Sequence, residues 1–219
     1  MQLDKQKIIL LHPGKTGGSS VEAALVKAYL KTDFGTFTRQ HKNGDFDLMF
    51  GLDTIRNIYL QHGDLRLYEM FDIPMRRFNV SCTVRRPYER VLSAFYYNGF
   101  SKRMDFSEFI QSHLSGEVKR NYYESGNAML DTKKYHINHF APCTLYLKRN
   151  RYSVNNIIKC ENLAADVKKH LGLILPRTKL SQTVANTKYK NHIDAYTQKM
   201  KDKVYTIYNE DFKTLGYKK

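Results

Sequence analysis

A short run of small and polar residues, HPGKTGGSS, follows the apolar stretch KIILL near the start of the chain. It contains the residue types that hold an anion: a lysine ammonium, three hydroxyls, and glycines that let the backbone come close to a ligand. When such a loop leaves a strand and opens a helix, several backbone N–H groups point at one spot, and the helix dipole adds positive potential there. The stretch therefore predicts a phosphate or sulfate site formed by Gly14, Lys15, Thr16, Gly17, Gly18, Ser19 and Ser20.

A second stretch, TVRRPYERVLS, offers further groups that bind anions. Arg85 ends a strand-like run, and its planar guanidinium can bind a phosphate through two hydrogen bonds. Ser93 lies in the second turn of a helix that Pro87 begins, so its hydroxyl can reach another phosphate oxygen. The alternative is that Arg85, Arg86 and Arg90 are solvated charges at the start of a helix. We favour an anion site, because an uncompensated arginine is unfavourable at a helix N-terminus.

The surrounding pattern predicts two strand–loop–helix units. Residues 7–11 are apolar, too few for a helix and followed by His-Pro-Gly, which indicates a buried strand. Apolar residues recur at spacings of three and four from position 21, which indicates a helix with Ser19 or Ser20 as its N-cap. Residues 78–84 alternate as a second strand does. Because parallel strands end at the same edge of a sheet, both predicted anion sites should face that edge.

Further elements continue the alternation of strands and helices. Strands are predicted at residues 55–60, 144–147 and 154–159, and helices at 105–114, 162–171 and 193–207. This order favours a parallel sheet with helices on both faces. We therefore expect one domain over residues 1–219, a P-loop-containing α/β fold with three α/β/α layers around a central parallel sheet.

The composition indicates an anionic partner. Lysine and arginine number 36 against 21 aspartates and glutamates, which gives a formal net charge of +15. Nucleic acid, acidic lipid, acidic polysaccharide and nucleotide are all attracted by this charge.

No apolar window reaches the roughly 18 residues of a membrane span, and no signal peptide is recognisable. We expect a cytoplasmic chain, or a Golgi-lumenal one if an N-terminal anchor has been removed. The cysteines have neither disulfide nor zinc spacing and are expected to be buried reduced thiols: Cys82, Cys143 and Cys160.

Together the two stretches resemble the donor-binding motifs of sulfotransferases that use 3'-phosphoadenosine-5'-phosphosulfate (PAPS). HPGKTGGSS is similar to their 5'-phosphosulfate loop, and VRRPYERVLSAFY is similar to their 3'-phosphate motif. The carbohydrate branch, with KTGG[TS]S and VR-x-P-x-x-R-x-x-S, is most similar. A weaker resemblance continues in IIKCENLAADVKKHLGL and IYNEDFKTLGY. The resemblance implies an enzyme that transfers the sulfuryl group from PAPS to a hydroxyl of a glycan. It also implies that the enzyme needs no metal and has no nucleic acid partner, and that the glycan can be anionic.

The resemblance also implies a role for each residue of the two motifs. Lys15 would bind the bridging oxygen and the leaving phosphate, and Gly14 and residues 16–20 would cradle the 5'-phosphosulfate. Arg85 and Ser93 would hold the 3'-phosphate.

Transfer to a hydroxyl needs a base that takes its proton, and histidine suits neutral pH. His62, in YLQHGD, follows a strand-like run and stands where the resemblance places a candidate base. Its rivals are His12, beside the glycine loop, and the carboxylates of Glu22 and Asp64.

Two other segments carry residues that could take part. His136 and His139 have a spacing that metal ligands share, but without a third ligand we expect a structural or substrate-side role. A basic loop before the last helix could close over the 3'-phosphate, touch an anionic acceptor, or be solvated: Arg177, Lys179, Asn186, Lys188 and Lys190.

Two other functions stay open at this point. One is a P-loop kinase that uses ATP, which would depend on magnesium. Its pattern GxxxxGK[ST] fails here, because Ile9 stands where the first glycine is required. The other is a non-catalytic basic module for nucleic acid or acidic polysaccharide, which would bind with a steep salt dependence and need no donor.

Overall fold

The computed structural model describes residues 2–3, 5–31, 52–53, 58–59, 62–70, 72–119, 139–175 and 192–219. Within these ranges the strands are β1 (Gln2–Leu3), β2 (Ile8–Leu11), β3 (Leu52–Asp53), β4 (Ile58–Tyr59), β5 (Asn79–Val84), β6 (Lys148–Arg149), β7 (Tyr152–Ser153) and β8 (Asn156–Lys159). Four of them form the central sheet in the order β1-β2-β5-β8. Strands β2, β5 and β8 are parallel, and β1 is antiparallel to β2. The predicted α/β fold with a parallel central sheet is confirmed.

Helices connect and cover these strands. They are α1 (Gly18–Leu25, continued by a π-helical turn Val26–Leu30), α2 (Leu65–Met70), α3 (Pro87–Tyr97), α4 (residues 106–119), α5 (Leu163–Leu171), α6 (Gln198–Ile207) and α7 (Asn209–Leu215). In α4, a π-helical turn Phe109–His113 lies between α-helical ends Phe106–Glu108 and Leu114–Lys119. Shorter 3-10 turns lie at Met75–Arg77, Phe100–Lys102, Cys143–Tyr146, Cys160–Asn162 and His192–Ala195.

Alternate residues of the parallel strands pack on opposite sides of the sheet. On one side, Ile8 and Leu10 join a core with helices α1 and α5. On the other side, Ile9 and Leu11 join a core with α2 and the 3-10 turn Cys143–Tyr146. This alternation follows from the two-residue period of a strand, whose side chains point to opposite faces. A third apolar cluster joins α3, α4, α6 and α7.

Two local predictions from the sequence were wrong, and a third was confirmed only in part. The N-cap of α1 is Gly17, with a left-handed φ of 84°, and the helix begins at Gly18 instead of after Ser19 or Ser20. Residues 144–146 lie in the 3-10 turn Cys143–Tyr146 and not in a strand, because a buried carboxylate caps this turn. Of the predicted strand 55–60, the described residues form the short β4, which pairs with β3 outside the central sheet.

That carboxylate belongs to Asp211 and lies in the interior. It accepts hydrogen bonds from the backbone N–H groups of Cys143 at 2.8 Å and Thr144 at 2.9 Å. Its Oδ2 also lies 3.9 Å from the guanidinium of Arg90, and both side chains are buried. The pair therefore joins the C-terminal helix α7 and the motif helix α3 to the 3-10 turn Cys143–Tyr146. The described part of the chain contains no helix long and apolar enough to cross a membrane.

Candidate active site

The loop between β2 and α1 is fixed at its centre by a hydroxyl. Thr16 Oγ1 lies 2.6 Å from the carbonyl oxygen of Pro13 and 2.6 Å from Thr83 Oγ1 at the end of β5. A carbonyl only accepts, so the Thr16 hydroxyl donates to Pro13 and accepts from Thr83. Thr16 is buried, and its hydroxyl ties the loop to the neighbouring strand instead of facing a ligand.

Lys15 is the half-buried lysine of this loop, and its backbone has a left-handed φ of 66°, which is uncommon for a residue with a side chain. Its ammonium lies 3.7 Å from the centre of the Tyr97 ring, within reach of a cation–π interaction. Burial, together with the positive charge of Arg85, lowers the pKa of Lys15 to about 8.

The second motif meets the first at the same edge of the sheet. Arg85 follows β5, and its NH1 lies 3.5 Å from the carbonyl oxygen of Lys15. Ser93 lies on α3 with only 1 % of its surface exposed. The two strand–loop–helix units predicted from the sequence thus converge, and the lysine and arginine are neighbours.

Three imidazole rings stand beside this loop. The rings of His12 and His62 are stacked, with centroids 4.3 Å apart. The ring of His139 meets that of His62 edge-on at 5.6 Å and that of Tyr97 at 4.9 Å. A Cβ at Gly14 would lie 2.3 Å from His139 Cδ2, so His139 rests directly on the glycine loop.

The backbone determines which nitrogen of His62 carries the proton. Its Nδ1 lies 2.5 Å from the carbonyl oxygen of His12, so Nδ1 donates and Nε2 keeps its lone pair. The backbone of His62 has a left-handed φ of 55°. Its carbonyl oxygen accepts a hydrogen bond of 2.7 Å from the hydroxyl of Tyr146. Burial lowers the pKa of His62 to about 4, so the ring is neutral at pH 7. A neutral imidazole with an unprotonated nitrogen is what a general base requires.

The rival bases are held in other interactions. His12 is 2 % exposed, its Nε2 lies 3.5 Å from Glu22 Oε1, and burial lowers its pKa well below the usual value. Burial raises the pKa of Glu22 to about 8, so this carboxyl is protonated at neutral pH. The carboxylate of Asp64 accepts hydrogen bonds from the backbone and the guanidinium of Arg66, at 2.7–3.2 Å.

His139, for which the sequence predicted a structural or substrate-side role, lies beside the glycine loop. Tyr97 and Asn98, at the end of α3, also lie there and were not assigned to the site from the sequence. Asn98 donates from Nδ2 to the carbonyl of Ala94 at 2.8 Å, which turns its Oδ1 toward His139 Nδ1 at 3.0 Å. Burial lowers the pKa of His139 to about 3. Tyr97 lies four residues after Ser93, on the same face of α3, and this spacing could have identified it.

Several sequence predictions lie outside the described residues, among them His136 and the basic loop of residues 177–190. Within the described ranges, no group of three or more His, Cys, Asp and Glu side chains is arranged to hold a metal ion. The three cysteines are free thiols: Cys82 and Cys143 are buried, and Cys160 is half-buried.

Comparison with known proteins gives one clear match. A model of the sulfotransferase family matches residues 1–218 of the chain. No curated protein and no solved structure matches it.

The contact between Gly18 and His12 yields a prediction about stability. A Cβ at Gly18 would lie 1.8 Å from His12 Nδ1, whereas a Cβ at Gly116 on α4 meets nothing within 4 Å. We expect Gly18→Ala to lower the free energy of unfolding by about 2–3 kcal/mol, because a buried ring must move. Gly116→Ala should raise it by roughly 0.5–1 kcal/mol through helix propensity. Urea denaturation of both variants measures the difference, and equal stability would contradict the close packing of His12.

Proposed function

The chain belongs to the sulfotransferase family, enzymes that take the sulfuryl group from PAPS, and on that premise we propose that it transfers this group to a hydroxyl of a carbohydrate, with His62 as the base. Membership of this family decides against the kinase and the non-catalytic module considered above. The observation that carries the proposal is the meeting of the two motifs: Arg85 NH1 lies 3.5 Å from the Lys15 carbonyl oxygen. One nucleotide with phosphates on both sides of its ribose can reach both.

The residues of the site fit such a donor. The loop offers backbone N–H groups at the start of α1, which favour the 5'-phosphosulfate. The hydroxyls of Ser19 and Ser20 are at least partly exposed there, while that of Thr16 is occupied. Arg85 and Ser93, on the neighbouring junction, suit the 3'-phosphate. When bound, the donor supplies an activated sulfuryl group on a phosphate oxygen.

The side chains then divide the work of transfer. The Lys15 ammonium neutralises the charge that develops on the phosphate oxygen as its bond to sulfur breaks. His62 Nε2 takes the proton of the acceptor hydroxyl as the acceptor oxygen bonds to sulfur. Adenosine 3',5'-bisphosphate is the product that leaves. Tyr146 binds the backbone carbonyl of His62, and the carbonyl of His12 binds its ring at Nδ1. Both groups therefore act as positioning groups for the base.

The acceptor class rests on the resemblance to carbohydrate sulfotransferases and on the net charge of +15. A direct experiment is incubation with ³⁵S-labelled PAPS and a panel of neutral and acidic glycans. We expect label in a glycan. If the protein binds adenosine 3',5'-bisphosphate but labels no glycan, the proposed donor site stands and the proposed carbohydrate acceptor is wrong.

Removal of either cation should weaken donor binding. Lys15→Ala and Arg85→Ala each remove a charged partner worth about 1.5–3 kcal/mol, which corresponds to roughly 10- to 150-fold in affinity. Calorimetric titration with adenosine 3',5'-bisphosphate measures the loss. The loss from Arg85→Ala should disappear with adenosine 5'-monophosphate, which lacks the 3'-phosphate; an equal loss with both ligands would place Arg85 elsewhere.

Replacement of the base should leave donor binding intact. We expect His62→Ala to change the affinity for adenosine 3',5'-bisphosphate by less than about twofold and to reduce turnover by on the order of 10²–10⁴. His113→Ala, which removes an exposed histidine on α4, is the matched control and should leave both unchanged. If His62→Ala loses donor affinity and turnover equally, His62 is a structural residue.

The two shifted groups predict the pH dependence of kcat/KM. Lys15 binds the donor when protonated, so activity should fall as the pH rises through about 8. His62 accepts a proton only when neutral, so activity should fall as the pH drops toward about 4. The profile should therefore be flat from about 5 to 7. An acid limb near 6.5, the usual pKa of histidine, would contradict the burial of His62 in the free enzyme.

A further inference from the structure

Glu89 is a charged residue beside the anion site that the function above does not use. It lies in the first turn of α3, and its carboxylate stands between two guanidinium groups. Its Oε2 is 3.5 Å from Arg85 Nε, and its Oε1 is 3.0 Å from Arg86 NH1. The Glu89 side chain is only 20 % exposed and that of Arg85 only 14 %. The arginine assigned to the 3'-phosphate thus faces an anion that belongs to the chain itself.

A second carboxylate near this junction has a different role. Glu161 Oε1 accepts the backbone N–H of Arg86 at 2.5 Å, and its Oε2 accepts from the hydroxyl of Tyr217 at 3.1 Å. Glu161 therefore caps the start of α3 and holds the C-terminal segment against it. Among the described residues, Glu89 is the acid whose carboxylate contacts the Arg85 side chain.

The helix places Glu89 on the face that lines the site. Residues four apart lie above one another on a helix, so Glu89, Ser93 and Tyr97 share one face of α3. Tyr97 covers the Lys15 ammonium, and Ser93 is the proposed hydroxyl for the 3'-phosphate. The Glu89 carboxylate lies one helical turn before the Ser93 hydroxyl and contacts the guanidinium of Arg85.

We propose that Glu89 competes with the 3'-phosphate of the donor for Arg85 and so weakens the hold of the enzyme on adenosine 3',5'-bisphosphate. The inference rests on the proposed function, in which Arg85 binds that phosphate. The guanidinium has five N–H donors, of which those at Nε and NH1 contact Glu89 and Lys15. A phosphate dianion that approaches Arg85 meets the negative carboxylate at close range. Because the side chains are mostly buried, solvent screens this repulsion only in part.

The competition affects donor and product alike, since both carry the 3'-phosphate. Such uniform weakening raises KM for PAPS and speeds release of the nucleotide product. Where product release limits turnover, faster release raises kcat. Glu89 is thus an affinity-tuning residue, which lowers the affinity of the enzyme for nucleotides that carry a 3'-phosphate.

The substitution Glu89→Gln isolates the charge. Glutamine has the same length and keeps one oxygen that can accept from Arg85, so the orientation of the guanidinium is preserved while the repulsion is lost. We expect the Kd of adenosine 3',5'-bisphosphate, measured by calorimetry at low salt, to fall about five- to twentyfold. Binding of adenosine 5'-monophosphate should change by less than twofold. Glu210→Gln removes an exposed carboxylate on α7 and, as the matched control, should change neither Kd.

The Arg85→Ala background separates failure of this inference from failure of the proposed function. There, Glu89→Gln should no longer tighten binding of adenosine 3',5'-bisphosphate. An unchanged or raised Kd for Glu89→Gln in the otherwise native chain overturns the proposal, as does equal tightening with and without Arg85. If Arg85→Ala alone leaves the Kd of adenosine 3',5'-bisphosphate unchanged, the assignment of the 3'-phosphate to Arg85 fails instead.

Discussion

The hydroxyl contact between Thr16 and Thr83 is the interaction on which the arrangement of the site depends. It is buried, 2.6 Å long, and joins the glycine loop to the end of the neighbouring parallel strand. A buried hydroxyl without a partner costs free energy, so this pair fixes the loop relative to β5. Because β5 leads directly into Arg85, the same contact fixes the distance between the loop and the second motif. The parallel order of β2 and β5 brings the two junctions to one edge of the sheet, and this pair of threonines holds them together there.

Burial then controls the charge of the lysine, the histidines and one carboxyl group around the loop. The same desolvation that lowers the pKa of Lys15 keeps His62 and His139 neutral and protonates Glu22. The site therefore contains cations for an anionic donor and uncharged imidazoles beside them. Neutral rings can stack closely, as those of His12 and His62 do, where two imidazolium ions would repel. Two cations, Lys15 and Arg85, lie where the donor is proposed to bind.

Local patterns in the sequence predicted the parts of this site that neighbouring residues determine. The glycine loop, the strand before it and the Pro87 helix follow from short-range spacing, and the convergence of Lys15 and Arg85 follows from the parallel order of strands. His139 and Tyr146 could not be assigned in this way, because contacts across the fold bring them to His62. The misassigned strand at 144–147 has the same cause. Its apolar residues suit a strand, but the distant Asp211 carboxylate caps the turn that forms instead.

The stripe of Glu89, Ser93 and Tyr97 along α3 has an evolutionary consequence. At 1.5 Å of rise per residue, the helix sets the spacing between the junction with Arg85 at one end and the aromatic ring over Lys15 at the other. An insertion or deletion of a single residue within it would turn one end by about 100° relative to the other. Point substitutions can tune each position separately, whereas a change in the length of this helix would separate the contact at Arg85 from the contact at Lys15.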